Sequence, residues 1–130
     1  MQVSCVEQTA TAGTALREKK AVDYRLRGVA ASSGMARGRC VIVRSLEDLH
    51  RLEAGVVAVC ETVSVNLIPF IPRLAGLATE LGGLGASALF YARERDIPAV
   101  VGVKGLMKRV REGDTVWVDG EYGMVYSTNS

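Results

Sequence analysis

The sequence predicts an α/β domain built on a mixed β-sheet and closed by a C-terminal hairpin. Three observations carry that expectation. The runs "GVVAVCE" (55–61) and "PAVVGV" (98–103) are apolar and rich in β-branched residues, as in strands buried on both faces. Between them lies "SALFYARER", a helix-compatible stretch that makes a strand–helix–strand unit. Near the end, "EGDTVWVDGEYGMVYS" sets Val116 and Val118 alternately with Thr115 and Trp117, with a glycine-containing turn near residues 119–123.

Taken in order, residues 1–25 are polar, rich in Thr and Ala, and carry a charged patch at Arg17, Glu18, Lys19 and Lys20. They read as an N-terminal arm, mobile or packed outside as a short helix, and the folded domain is expected over residues 26–130. "GRCVIVRS" (38–45) alternates well enough for a strand. "SLEDLHRL" follows as a short helix, with Ser45 as N-cap and Asp48 in the capping-box position. "NLIPFIPRL" suits a loop with a turn of helix, because Pro69 and Pro72 delete backbone donors. "LAGLATE" (74–80) is a further short strand, then come a glycine loop and a helix over residues 86–95. No internal repeat or low-complexity tract stands out.

Composition excludes several classes. The 130 residues make about one domain, and at 48% apolar they bury a proper core. Sixteen Lys+Arg against 14 Asp+Glu leave a net charge of only +2, and 5% of the chain is aromatic, so nucleic-acid binding is not expected. Cys5, Cys40 and Cys60 form no CxxC pair. Cys40 and Cys60 sit in apolar runs, as small buried hydrophobes do, which fits a reducing cytoplasm. No metal site or cofactor is read from the sequence. "MQVSCVEQTATAG" has no signal-peptide pattern, and no apolar run has the 18 or so residues a membrane span needs.

The candidate site is "ELGGLGASALFYARER". Gly82, Gly83 and Gly85 precede a helix, where free N–H groups and the dipole favour an anion. The simpler reading is that they satisfy positive φ in a tight turn. Ser87 falls in the first helical turn, one turn before Tyr91, so the two share a face. As a nucleophile Ser87 needs a positioned base. Glu80 is the nearest carboxylate before the loop and Glu94 the nearest after it. Each has a solvated or structural role by default. His50, the one histidine, sits among charges in a short amphipathic helix. Lys104, Lys108, Arg109 and Arg111 read as a solvated helix face.

"LRGVAASSGMARGRCVIVRSLEDLHRLEAGVVAV", "PFIPRLAGLATELGG", "ARERDIPAVVGV" and "REGDTVWVDGEYGMVY" together resemble the mobile phosphohistidine (swivelling) domain of phosphoenolpyruvate-utilising enzymes, the pyruvate phosphate dikinase and phosphoenolpyruvate synthase group. The likeness covers residues 26–126, and the spacing of GG, eight residues, AR and IPAVVG is specific. It implies a swivelling β/β/α fold in which a histidine takes phosphate at one active site and delivers it at another. The family's reactive segment runs Gly-Gly-x-Thr-Ser-His-Ala-Ala. This chain matches the two glycines, but Gly85, Ala86 and Ser87 stand where threonine, serine and the phosphorylated histidine are expected. "ETVSVNLIPF" also departs from an acidic, aromatic "TDPDWTP"-like segment.

A phosphocarrier needs a nucleophile partly unprotonated near neutrality, as an imidazole with a pKa of about 6.5 is. A serine without a base is not, and its phosphate ester is a poor donor. Loss of phosphotransfer is therefore expected. Two functions remain open. One is a stand-alone domain that binds a partner, dikinase-like subunits, or a ligand. The other is a repurposed enzyme, a cyclase or isomerase. Its apolar pocket would lie between residues 62–70 and the helix start at Ala86, lined by Val63, Val65, Leu67, Phe70, Phe90 and Tyr91, with a small organic substrate held by shape.

Overall fold

The computed structural model describes residues 22–63, 65–82 and 86–128. In chain order the elements are β1 (Val22–Arg27), β2 (Val29–Ser32), β3 (Met35–Val43), a 3₁₀ segment (Leu46–Arg51), β4 (Val57–Cys60), a second 3₁₀ segment (Val65–Arg73) and β5 (Gly76–Thr79). After these come α1 (Ala86–Glu94), β6 (Ala99–Val101), α2 (Leu106–Arg109), β7 (Thr115–Asp119) and β8 (Met124–Thr128). The expected arm lies outside the described residues up to residue 21. Its last four residues, 22–25, belong to β1 instead, hydrogen-bonded to β8.

Among the described residues one sheet runs β1-β8-β7-β3-β4-β5-β6-β2. It is mixed, as expected. The long strand β3 joins its halves: Met35–Arg39 pairs antiparallel with β7, and Cys40–Val43 pairs parallel with β4. β4, β5 and β6 continue in parallel, and β2 closes the far edge antiparallel. The β7–β8 hairpin is in place, with Val118 opposite Val125. Buried Asp119 shapes its turn, its Oδ1 accepting from the N–H groups of Glu121 (2.9 Å) and Tyr122 (3.1 Å).

Both faces of the parallel strands are covered, which is why they read as unbroken apolar runs. Val41, Ala58, Leu77 and Ala99 face a layer made by the 3₁₀ segments and α1, where Leu49, Leu67, Ile71 and Ala92 are buried. Their chain neighbours Ile42, Val59, Ala78 and Val100 face the antiparallel half and meet Tyr24, Val116, Val118 and Val125. The result is a β/β/α stack. On the outer antiparallel face, Arg37 lies 5.6 Å over Trp117, which stacks on Tyr126 with centroids 5.9 Å apart. This cross-strand ladder ties β3, β7 and β8 together.

The Pro-containing segment takes the 3₁₀ form, Pro69 and Pro72 lying within it and Leu67 and Ile71 pointing inward. The expected short helix at 45–52 is also 3₁₀. Ser45 caps it, and Asp48 Oδ2 accepts the Ser45 N–H at 3.1 Å. Of the basic run, Arg109 stacks 5.5 Å over Tyr24 rather than standing wholly in solvent.

Burial pushes the Cys40 and Cys60 thiols from 9.0 up to about 12, with Glu112 adding to the effect at Cys40. Tyr24 is raised too, by burial and then by Asp114, whose Oδ2 accepts its hydroxyl at 3.1 Å. A raised acid keeps its proton longer in the fold than in the unfolded chain. The stability these thiols contribute is therefore complete below about pH 9 and is lost as pH rises toward 12. The urea midpoint is expected to decline over that window, and neither thiol to react with a disulfide reagent at pH 8 until the chain is unfolded. Prompt labelling of either in the native state contradicts their burial.

Candidate functional site

β3, β4 and β5 run parallel and end at Val43, Cys60 and Thr79, so the segments that follow meet at one edge. In open α/β sheets this carboxyl edge is where ligands settle. The glycine loop leaves from here, and its start is fastened on several sides. The N–H groups of Glu80 and Leu81 donate to the Cys60 and Glu61 carbonyls at 3.0 and 2.9 Å, and that of Val103 to the Thr79 carbonyl at 3.0 Å. Buried Thr79 donates its hydroxyl to the Leu81 carbonyl at 2.8 Å. Glu80 Oε1 accepts the Met107 N–H at 2.8 Å, joining the loop to α2.

Gly83 and Gly85 lie outside the described residues, so the positive-φ reading is testable only at Gly82. Gly82 does not adopt positive φ, and a Cβ placed on it meets nothing within 4 Å. Neither strain nor crowding within the described chain demands a glycine there. α1 begins at Ala86, which puts Ser87 in its first turn, as the spacing predicts.

The other candidates do not gather into one apolar pocket. Leu67 is buried in the core, and Phe70 packs half-buried against that core under the Arg73 guanidinium, 5.3 Å away. Val65 (76% exposed), Phe90 (56%) and Tyr91 face solvent, the last two in an edge-to-face contact at 5.9 Å.

Among the described residues, an open cleft of about 680 Å³ lies at this carboxyl edge. Val43 and Arg44 line it from the end of β3, and Leu46 and Leu49 from the first 3₁₀ segment. Glu61 and Thr62 contribute from the end of β4, Glu80 from the end of β5, and Met107 and Lys108 from α2. Of the expected site residues only Glu80 is part of it. One wall is stiffened by Asp48, which takes the Arg44 N–H at 2.8 Å and the Arg51 guanidinium at 2.9 Å. These bonds, the Arg44 N–H first, hold its carboxyl down at about 2. Sequence reasoning missed Arg44, Glu61 and Lys108. The signal for the first two was their position just after an apolar strand.

A sequence profile of the PEP-utilising enzyme mobile domain matches residues 52–123. The chain is 33% identical over 124 residues to a probable phosphoenolpyruvate synthase of Pyrococcus abyssi, an alignment covering 95% of this chain and 15% of that protein. It is 32% identical over 113 residues to an uncharacterized phosphotransferase, YvkC, of Bacillus subtilis, covering 87% of this chain and 14% of the other. Among solved structures it resembles an Enzyme I (nEIt) protein with a TM-score of 0.54 and 34% identity, over 62% of this chain and 33% of that one. The chain thus spans about a seventh of the length of those two sequence relatives.

Proposed function

The chain belongs to the PEP-utilising enzyme mobile-domain family, and from that membership we propose that it is a swivelling domain that keeps the docking scaffold and has lost phosphohistidine transfer. One observation carries the reading. Ser87 stands in the first turn of α1, in the place where the resemblance puts the phosphorylated histidine. A serine hydroxyl has no appreciable alkoxide at neutral pH without a base. Glu80 is engaged with the Met107 amide. His50, the one histidine of the sequence, is exposed on the first 3₁₀ segment.

The partner suggested by the relatives is the catalytic part of a dikinase-like or phosphoenolpyruvate-synthase-like assembly. Exposed apolar groups near the loop support a docking role: Leu81 at its start and Phe90 and Tyr91 on α1. So does Gly82, whose open surroundings leave room for a partner to approach closely. The repurposed-enzyme reading lacks this support, because Leu67 and Phe70, two of its pocket walls, pack in or against the core.

The test is phosphorylation of the purified chain with phosphoenolpyruvate, or with ATP and a family nucleotide-binding domain, followed by intact mass before and after acid. No acid-labile adduct is expected, and any phosphoserine formed survives acid and is not passed on. Ser87→His alone is expected not to restore efficient transfer, since Gly85 and Ala86 supply no neighbouring hydroxyls. A stoichiometric, acid-labile adduct on the wild-type chain that chases onto an acceptor overturns the reading.

A further inference from the structure

We propose that the cleft at the carboxyl ends of β3, β4 and β5 is a binding site for an amphipathic monocarboxylate, a carboxylate carried on a short apolar chain or ring. Its size suits a small organic molecule: about 680 Å³ lies within the usual range for ligand pockets. The lining has two chemical halves. Val43, Leu46, Leu49 and Met107 give apolar surface, and Leu46 keeps 61% of its area exposed there. Arg44, just after β3, and Lys108 of α2 give two cations to the lining.

Among the described residues, neither cation has an ion-pair partner. Arg51, by contrast, is bonded to Asp48, Glu112 and the Ile42 carbonyl. Of the two lining carboxylates, Glu80 already accepts the Met107 N–H. Glu61 remains. Two cations against two carboxylates leave the lining formally neutral, so a phosphate dianion finds no net positive charge to offset its desolvation, which is costlier than a monoanion's. An exposed Arg or Lys is ordinarily just solvated. Here both line one cleft together with apolar surface, so a ligand gains charge-assisted hydrogen bonds and buries hydrocarbon at once.

The test is a methyl-detected NMR titration of the full chain at pH 7 with 4-phenylbutyrate, 4-phenylbutanol and 3-phenylpropyl phosphate. Saturable shifts are expected at the Val43, Leu46, Leu49 and Met107 methyls. The carboxylate should bind about tenfold more tightly than the alcohol, the size of one charge-assisted hydrogen bond, and more tightly than the phosphate. Arg44→Gln and Lys108→Gln should each weaken it about three- to tenfold, and Glu61→Gln should tighten it. All three side chains are exposed, so thermal midpoints should stay in place. Equal affinity for the alcohol, tighter binding of the phosphate, weakening by Glu61→Gln, or no saturation by about 10 mM overturns the proposal. Each of those results leaves the loss of phosphotransfer standing, since that rests on Ser87 and not on the cleft.

Discussion

Gly120→Ala is expected to destabilise the native fold severely. Gly120 opens the β7–β8 turn, and its N–H donates to the Gly34 carbonyl at 2.7 Å. A Cβ there would drive into the Ser32 carbonyl oxygen and lie 2.9 Å from its carbon. The obstruction is backbone, at the end of β2, and no flexible side chain can swing away. Gly120 has no positive φ, so space and not conformation makes the glycine obligatory. Relief means parting the hairpin from the β2–β3 connection. That costs more than about 3 kcal/mol, against a total stability of roughly 5–15 kcal/mol. Circular dichroism and urea unfolding read the outcome. Gly82→Ala is the control, with nothing within 4 Å of the added carbon, and should shift stability by less than about 0.5 kcal/mol. A Gly120→Ala chain that unfolds at the wild-type midpoint refutes the packing of β2 on the hairpin.

Leu77→Ala is expected to destabilise the fold by about 3 kcal/mol. Leu77 is fully buried in β5, with Ala58 of β4 and Ala99 of β6 in register on either side. It is the one large side chain in a row flanked by alanines, so its neighbours have no atoms to move into the void. The layer above, with Leu67 and Ile71, belongs to a 3₁₀ segment stiffened by Pro69 and Pro72 and follows poorly. Leu77→Ile, which conserves volume, should cost less than about 1.5 kcal/mol. A loss under about 1 kcal/mol for Leu77→Ala means the α-side layer collapses freely and is not the rigid packing inferred here.

The fold class, the strands β3 to β8, α1 and the place of Ser87 were all legible in the sequence, for a local reason. An apolar run, an alternation or a proline acts on its own few residues, and burial on one face or two imprints itself there directly. Family membership rested on the same footing, on short-range spacing from GG to IPAVVG. β1 and β2 were not legible. Their partners, β8 and β6, lie some seventy to a hundred residues downstream, so nothing local shows which strand will satisfy their hydrogen bonds. The site divides in the same way. The glycine loop is contiguous and could be read directly. The cleft is assembled from residues 43–49, 61–62, 80 and 107–108, which only the parallel pairing of β3, β4 and β5 brings to one edge. The same tertiary packing drew Leu67 into the core and left Phe90 in solvent, because an apolar side chain does not carry in its own sequence which surface will cover it.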